Sequence, residues 1–215
     1  MSMIKGVLFD LDGTLLDTSI GIIKSASYVA DRFGYPSLPD TIMRTFVGPP
    51  IQESFMRNYG ISSEAAQEAA DMFRVHYVSN TLFDAVLYNG IIGTMREIKK
   101  KGLKIGVATY KREDYAISLL QHFGISIFCD SVRGADNNNC LRKSDIIKLC
   151  IRDLEIEKRQ IILVGDTEYD ARGAEEAGVH FLGVTYGFGF HSVDEVNGFP
   201  NIGSICNPAD VLNYV

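Results

Sequence analysis

No stretch of the 215-residue sequence approaches the roughly 18 apolar residues a membrane-spanning helix needs, and the apolar stretch before Asp10 and Asp12 is too short for a secretory signal. A soluble, cytoplasmic protein with no membrane partner is expected. Cys129, Cys140, Cys150 and Cys206 form no CxxC pair and no zinc spacing, so they are expected as reduced, largely buried thiols rather than a disulfide framework. Positive charge is scarce: the formal net charge is -6, the pI is near 5.2, and the only basic run is Lys99, Lys100 and Lys101. That run reads as a helix end, where cations complement the carbonyl terminus, so no nucleic-acid polymer is expected as a partner. His76, His122, His180 and His191 show no ligand spacing, and the chain contains no internal repeat or low-complexity tract.

What is present suffices for a core. With 46% hydrophobic and 22% charged residues, the length suggests one domain or a domain with a modest insertion. Lys5 to Leu11 (KGVLFDL) is a compact apolar run ending in an acidic, glycine-containing turn, as buried parallel strands do. From about Ser19 to Thr81 only helical patterns follow, broken at Pro36 to Asp40, at Gly48-Pro49-Pro50 and at Gly60 to Ser63, with Ser62 or Ser63 as an N-cap. From Gly90 onward helices (91–101, 114–123, 144–154, 169–177) alternate with strands (103–108, 160–164, 180–185), and a short apolar stretch lies at 125–128. This alternation predicts an α/β fold, a doubly wound parallel sheet with a small helical unit inserted after the first strand. The expected division is a core of residues 1–16 and 84–215 and an insertion of residues 17–83.

Ligands of such sheets bind beyond the carboxyl ends of the strands. Those positions hold Asp10 and Asp12, then Thr109, then Asp166 and Asp170. Asp10 and Asp12 are two apart, so an extended chain turns both carboxylates to one side. At about 4 Å they would repel by roughly 4 kcal/mol at an effective dielectric near 20, and a cation is required. An all-oxygen site that also meets a phosphate suits Mg²⁺. Gly13 and Thr14 form a turn that could cradle an anion on its N–H groups. Taken alone, Asp-Leu-Asp-Gly reads equally well as a turn capping the next helix, and Gly165-Asp166-Thr167 as another N-cap. Tyr186-Gly187-Phe188-Gly189-Phe190 follows a predicted strand and reads as a loop near the site or as plain turn chemistry.

Together these residues resemble the haloacid dehalogenase superfamily of aspartate-dependent phosphatases. Its first motif, D-x-D-G-T-L/V, is Asp10-Leu11-Asp12-Gly13-Thr14-Leu15. The second, a Ser/Thr ending the next strand, resembles Thr109 in Val107-Ala108-Thr109-Tyr110-Lys111. A lysine opening a helix is Lys143 in Leu141-Arg142-Lys143-Ser144-Asp145, and G-D-x-x-x-D is Gly165-Asp166-Thr167-Glu168-Tyr169-Asp170. The motifs span essentially the whole chain. The insertion is similar to the family's C1 cap, and Phe46-Val47-Gly48-Pro49-Pro50 followed by Glu53-Ser54-Phe55 resembles phosphoglycolate phosphatase-like and 5′-nucleotidase-like members. Two departures stand out: Tyr110 replaces a small or amide residue, and no Pro-x-Pro-Asp follows Lys143.

The resemblance implies a Mg²⁺-dependent phosphohydrolase of a small phosphomonoester, monomeric or homodimeric. Asp10 would be the nucleophile and Asp12 the acid and base. Mg²⁺ would be held by the Asp10 carboxylate, the Asp12 backbone carbonyl and Asp166, with Asp170 behind them. Thr109, Tyr110, Lys143 and the Gly13 and Thr14 turn would bind phosphate, and Arg44 and Gly48 of the cap would meet the rest of the substrate. Away from this motif order, Lys143 reads as a solvated helix-start lysine, Thr109 as a β-branched strand residue and Arg44 as a surface arginine. Asp17 and Thr18 read as helix caps. A phosphosugar mutase, or a noncatalytic phospholigand-binding protein of the same fold, is the alternative.

Overall fold

The computed structural model describes residues 3–136 and 140–215. Along the chain run β1 (Gly6–Phe9), β2 (Leu16–Asp17), α1 (Ser19–Phe33), α2 (Asp40–Met43), α3 (Ile51–Tyr59), α4 (Ser63–His76), β3 (Val86–Leu87), α5 (Ile91–Lys100), β4 (Lys104–Arg112) and α6 (Glu113–His122). Then follow β5 (Ser131–Ala135), α7 (Lys143–Leu154), β6 (Ile161–Gly165), α8 (Glu168–Ala177), β7 (His180–Val184), α9 (Val193–Asn197) and β8 (Ser204–Ile205). Two compact units result, residues 1–16 with 87–215 and residues 17–86. The second crossing falls at 86/87, within the short strand β3.

The larger unit is built on a six-stranded sheet of order β5-β4-β1-β6-β7-β8, every adjacent pair parallel. Gly6–Phe9 and Ile161–Gly165 are buried at every position, as befits strands covered on both faces. Phe9 stands opposite Val107 of β4 on one side and Val164 of β6 on the other, so β1 and β6 end almost level while β4 continues past them. From β1 the chain builds outward through β4 and β5, then restarts on the opposite side with β6. That reversal puts the topological switch point beside β1.

Several local readings differ from expectation. The second strand of this sheet runs on to Arg112 instead of stopping at Ala108, so Thr109 lies inside it. Ser126–Phe128 is a 3₁₀ turn, and the strand that follows, Ser131–Ala135, carries Arg133 and Gly134 and so lacks the continuous apolar run of β1 and β6. Of the cysteines only Cys150 is buried; Cys129 is half-buried, while Cys140 and Cys206 sit exposed in loops outside the sheet. Lys99 and Lys100 do end a helix, and Lys99 Nζ pairs with Asp130 at 2.6 Å. Among the described residues no helix is long and apolar enough to cross a membrane.

The helical unit packs around aromatic rings. Phe46 meets Phe55 edge-on at 5.3 Å, and Tyr59 stands 4.9 Å from Tyr35 and 6.1 Å from Phe55. The alanines Ala66, Ala69 and Ala70 of α4 are fully buried. Ser62 caps α4, its Oγ accepting from Ala65 N at 3.3 Å, and Asp17 Oδ1 accepts from Ser19 N at 3.0 Å at the start of α1. The helical pattern continues past His76 as a π-helical turn, Tyr77–Thr81.

Candidate active site

Beyond Phe9 the chain reaches Asp10, whose N–H donates to Val164 O at 2.9 Å and ties the end of β1 to β6. A tight turn follows. The N–H groups of Thr14, Leu15 and Leu16 all donate to Leu11 O, and Gly13 N donates to Leu16 O at 2.8 Å. The N–H groups of Gly13 and Thr14, expected to face a phosphate, are therefore consumed in closing the turn. Gly13 serves a different need. Its φ of +80° is a glycine conformation, and a Cβ there would press into the Asp166 carboxylate.

Asp166 emerges from the fully buried β6, and the loop after β7 folds over it. Phe188 N donates to Asp166 Oδ2 at 2.7 Å and Gly189 N at 3.2 Å. The glycine- and aromatic-rich segment thus orients an acidic side chain, and Gly187 has no room for a side chain against Asp166 and Gly13 O. Tyr186 anchors the loop by donating its hydroxyl to Thr14 O at 3.0 Å. Asp166 Oδ1 is buried and has no hydrogen-bond partner among the described residues.

Asp170 lies in the first turn of α8. Its Oδ2 accepts from Thr167 N at 3.0 Å and Thr167 Oγ1 at 2.7 Å, a capping arrangement that leaves Asp166 free of that duty. Carboxylate oxygens of Asp10, Asp166 and Asp170 lie within 4.8 Å of one another. Lys143, the first residue of α7, is buried and reaches into this group, its Nζ 2.6 Å from Asp10 Oδ1 and 2.6 Å from Asp170 Oδ1.

The departures at Tyr110 and after Lys143 are connected. Lys143 N is one of the helix-start N–H groups that lack an intrahelical acceptor. It donates to Tyr110 Oη at 2.9 Å, and the Tyr110 ring packs edge-on against Tyr169 at 5.6 Å. Arg142 N donates to Asp145 Oδ2 at 3.2 Å. A tyrosine hydroxyl and an aspartate thus organise the helix start without proline, and Tyr110 acts on the lysine's backbone.

Lys111 was absent from the expected set. Its Nζ stands 3.0 Å from both carboxylate oxygens of Asp12, with both side chains buried, and its N–H donates to Thr109 Oγ1 at 3.2 Å. The alternation that pairs Asp10 with Asp12 also pairs Thr109 with Lys111, and was the available signal. Arg44, exposed in a 3₁₀ turn, and Gly48, at φ +103°, belong to the helical unit.

Burial pushes the Asp10 carboxyl up to about 7; the charges of Asp170 and Asp12 add to the rise, and Lys143 opposes it. Burial likewise raises Asp166 well above the usual carboxylate range, helped by Asp170 and Asp10 and resisted by the two loop N–H groups. For Lys143 burial favours the neutral amine, but the charges of Asp10 and Asp170 outweigh it and hold the ammonium form. The site is short of positive charge, and its three clustered carboxylates, with one orphaned oxygen, form a set that could hold a metal ion.

Known proteins resemble this chain over most of its length. Residues 7–184 match the family model described as haloacid dehalogenase-like hydrolase. A 5′-nucleotidase from Pseudomonas aeruginosa is 29% identical over 88% of this chain and 86% of that protein. The tyrosine-protein kinase PtkA of Mycobacterium tuberculosis is 31% identical over 85% of this chain, which spans 62% of that protein's length. Among solved structures, a predicted phosphatase from Clostridium acetobutylicum superposes with a TM-score of 0.90 at 33% identity, covering 99% of this chain and 98% of that one. With Asp10, Asp166, Asp170 and Lys143 assembled from strand ends and helix starts, and a family match across most of its length, the chain belongs to the haloacid dehalogenase-like hydrolases and is a phosphatase acting on phosphoric monoesters.

Proposed function

We propose that the protein is a Mg²⁺-dependent phosphohydrolase of small phosphomonoesters, of the phosphoglycolate or nucleoside monophosphate class, working through an aspartyl-phosphate on Asp10. The observation that carries this reading is the buried set of Asp10, Asp166 and Asp170 around Lys143. Counting Asp12 and Lys111, four carboxylates face two ammonium groups, a formal charge of 4 − 2 = 2 negative units that one divalent cation cancels. Asp10, Asp166 and Asp170 would hold the ion, with the Asp12 backbone carbonyl as a further oxygen. When bound, Mg²⁺ supplies charge neutralisation for the phosphate and favours the ionised form of Asp10.

In the first half-reaction an Asp10 carboxylate oxygen bonds to phosphorus as the ester P–O bond breaks, and Asp12 gives its proton to the departing alkoxide. In the second, Asp12 takes a proton from a water that attacks the acyl phosphate, releasing inorganic phosphate and restoring Asp10. Thr109 and Lys143 donate to the phosphoryl oxygens. The Gly13 and Thr14 turn contributes by letting Asp166 approach. Arg44 and Gly48 are proposed to read the remainder of the substrate, and the likeness to a 5′-nucleotidase supports a nucleotide among the candidates.

The test is a phosphate-release screen over nucleoside monophosphates, phosphoglycolate, sugar phosphates and pyrophosphate, with and without Mg²⁺. Turnover is expected only with Mg²⁺ and is expected to vanish in Asp10→Asn. Metal-independent turnover, or full activity in that variant, would overturn the reading. Isomerised hexose phosphate without free phosphate would mark a mutase, and binding without turnover a sensor.

A further inference from the structure

We infer that Lys111 is the positioning residue for Asp12, holding its carboxylate in the orientation needed to protonate the leaving alkoxide; this rests on the acid role proposed for Asp12. Lysine is among the residues least often buried, and its side chain loses considerable rotamer freedom when fixed. Lys111 is nevertheless buried at the end of β4, with its side chain 6% exposed and that of Asp12 10% exposed. A buried ion pair is a poor device for stability, since an apolar pair of similar volume is often as good or better. What it supplies is direction.

Two contacts of Lys111 point to that use. The ammonium lies 3.0 Å from each Asp12 oxygen and so fixes the direction of the carboxylate from which the proton passes to the alkoxide. The backbone N–H of the same residue bonds Thr109 Oγ1, so one residue couples the proposed proton donor to the proposed phosphate donor. The extension of β4 past Ala108 to Arg112 carries both Thr109 and Lys111, and the register of β4 against β5 shifts between Ala108 and Arg112.

An acid that protonates the leaving group matters for alkoxides and little for a phenolate that departs unprotonated. The experiment therefore compares kcat/KM for alkyl esters (phosphoglycolate, adenosine 5′-monophosphate) with para-nitrophenyl phosphate in Lys111→Met, Lys111→Arg and Asp12→Asn, each checked for folding by circular dichroism. General acid catalysis contributes roughly 10²- to 10⁴-fold, so Lys111→Met is expected to lose about 10²-fold or more on the alkyl esters and about tenfold or less on the aryl ester, with KM nearly constant. Lys111→Arg should show the same pattern at smaller amplitude, and carries the test if the methionine variant does not fold. Equal losses on both ester types in the Lys111 variants, or a loss expressed mainly in KM, would overturn the inference while leaving Asp12 in its role. Equal losses in Asp12→Asn would overturn the acid assignment and this inference with it.

Discussion

Lys143 Nζ lies 2.6 Å from Asp10 Oδ1 across 133 residues of sequence, so the helix after β5 neutralises the carboxylate at the end of β1. The same ammonium reaches Asp170, and α8 grips its stem: a Cβ on Gly173 would stand 2.6 Å from Lys143 Cγ. Lys143 is thus the hub that lets three carboxylates share one buried space.

Replacing Lys143 by Met should therefore weaken both fold and activity. Removing one partner of a buried charge cluster costs about 3–5 kcal/mol, and a metal-free sample should show it as a lowered unfolding midpoint in urea. Phosphate release should fall below detection even where Mg²⁺ restores the fold. A fully active Lys143→Met protein would contradict the arrangement.

The metal-free protein should lose stability as pH rises through the window where Asp10 titrates. In the unfolded chain such a carboxyl titrates near 3.8, and in the folded protein at about 7. Between these values the folded state holds the extra proton, so stability is greatest on the acid side and declines toward pH 7. A cation competes with that proton, so Mg²⁺ should raise the melting temperature more at pH 8 than at pH 5. Thermal unfolding in EDTA and in Mg²⁺ across this range reads both slopes.

The loop over Asp166 gives a third expectation. In Gly187→Ala a methyl would crowd Asp166 and Gly13 O, displacing the oxygen that Phe188 and Gly189 hold. Disturbing groups that orient a metal ligand typically lowers affinity about 10- to 100-fold, so the Mg²⁺ concentration for half-maximal activity should rise by that factor. An unchanged Mg²⁺ titration would show that the loop does not position this carboxylate.

Tyr110→Phe isolates the link to α7. The substitution keeps the ring against Tyr169 and removes the acceptor for Lys143 N. An abandoned buried donor costs roughly 1–3 kcal/mol, measurable as a shift in the urea midpoint. Because Lys143 opens that helix, kcat should also fall, with little change in KM.

Much of this architecture is written locally. β1 and β6 are legible because a strand buried on both faces must be apolar throughout, and the helices because their caps and glycine stops are short-range chemistry. Asp10, Asp12, Asp166 and Asp170 could be singled out for a similar reason, because each follows a strand or opens a helix that the pattern reveals, whereas Thr109 lies inside β4 and Lys143 stood out only through the resemblance to the family's motif order. What the pattern could not show is who meets whom. Lys111 on Asp12, Tyr110 on Lys143 N and the Phe188 and Gly189 amides on Asp166 join residues 99, 33, 22 and 23 positions apart. The turn N–H groups of Gly13 and Thr14 look available in sequence and are spent on Leu16 O and Leu11 O in the fold. Hydrogen bonds are decided by angle and distance, to within a few tenths of an ångström, and only the packed sheet with its flanking helices sets those.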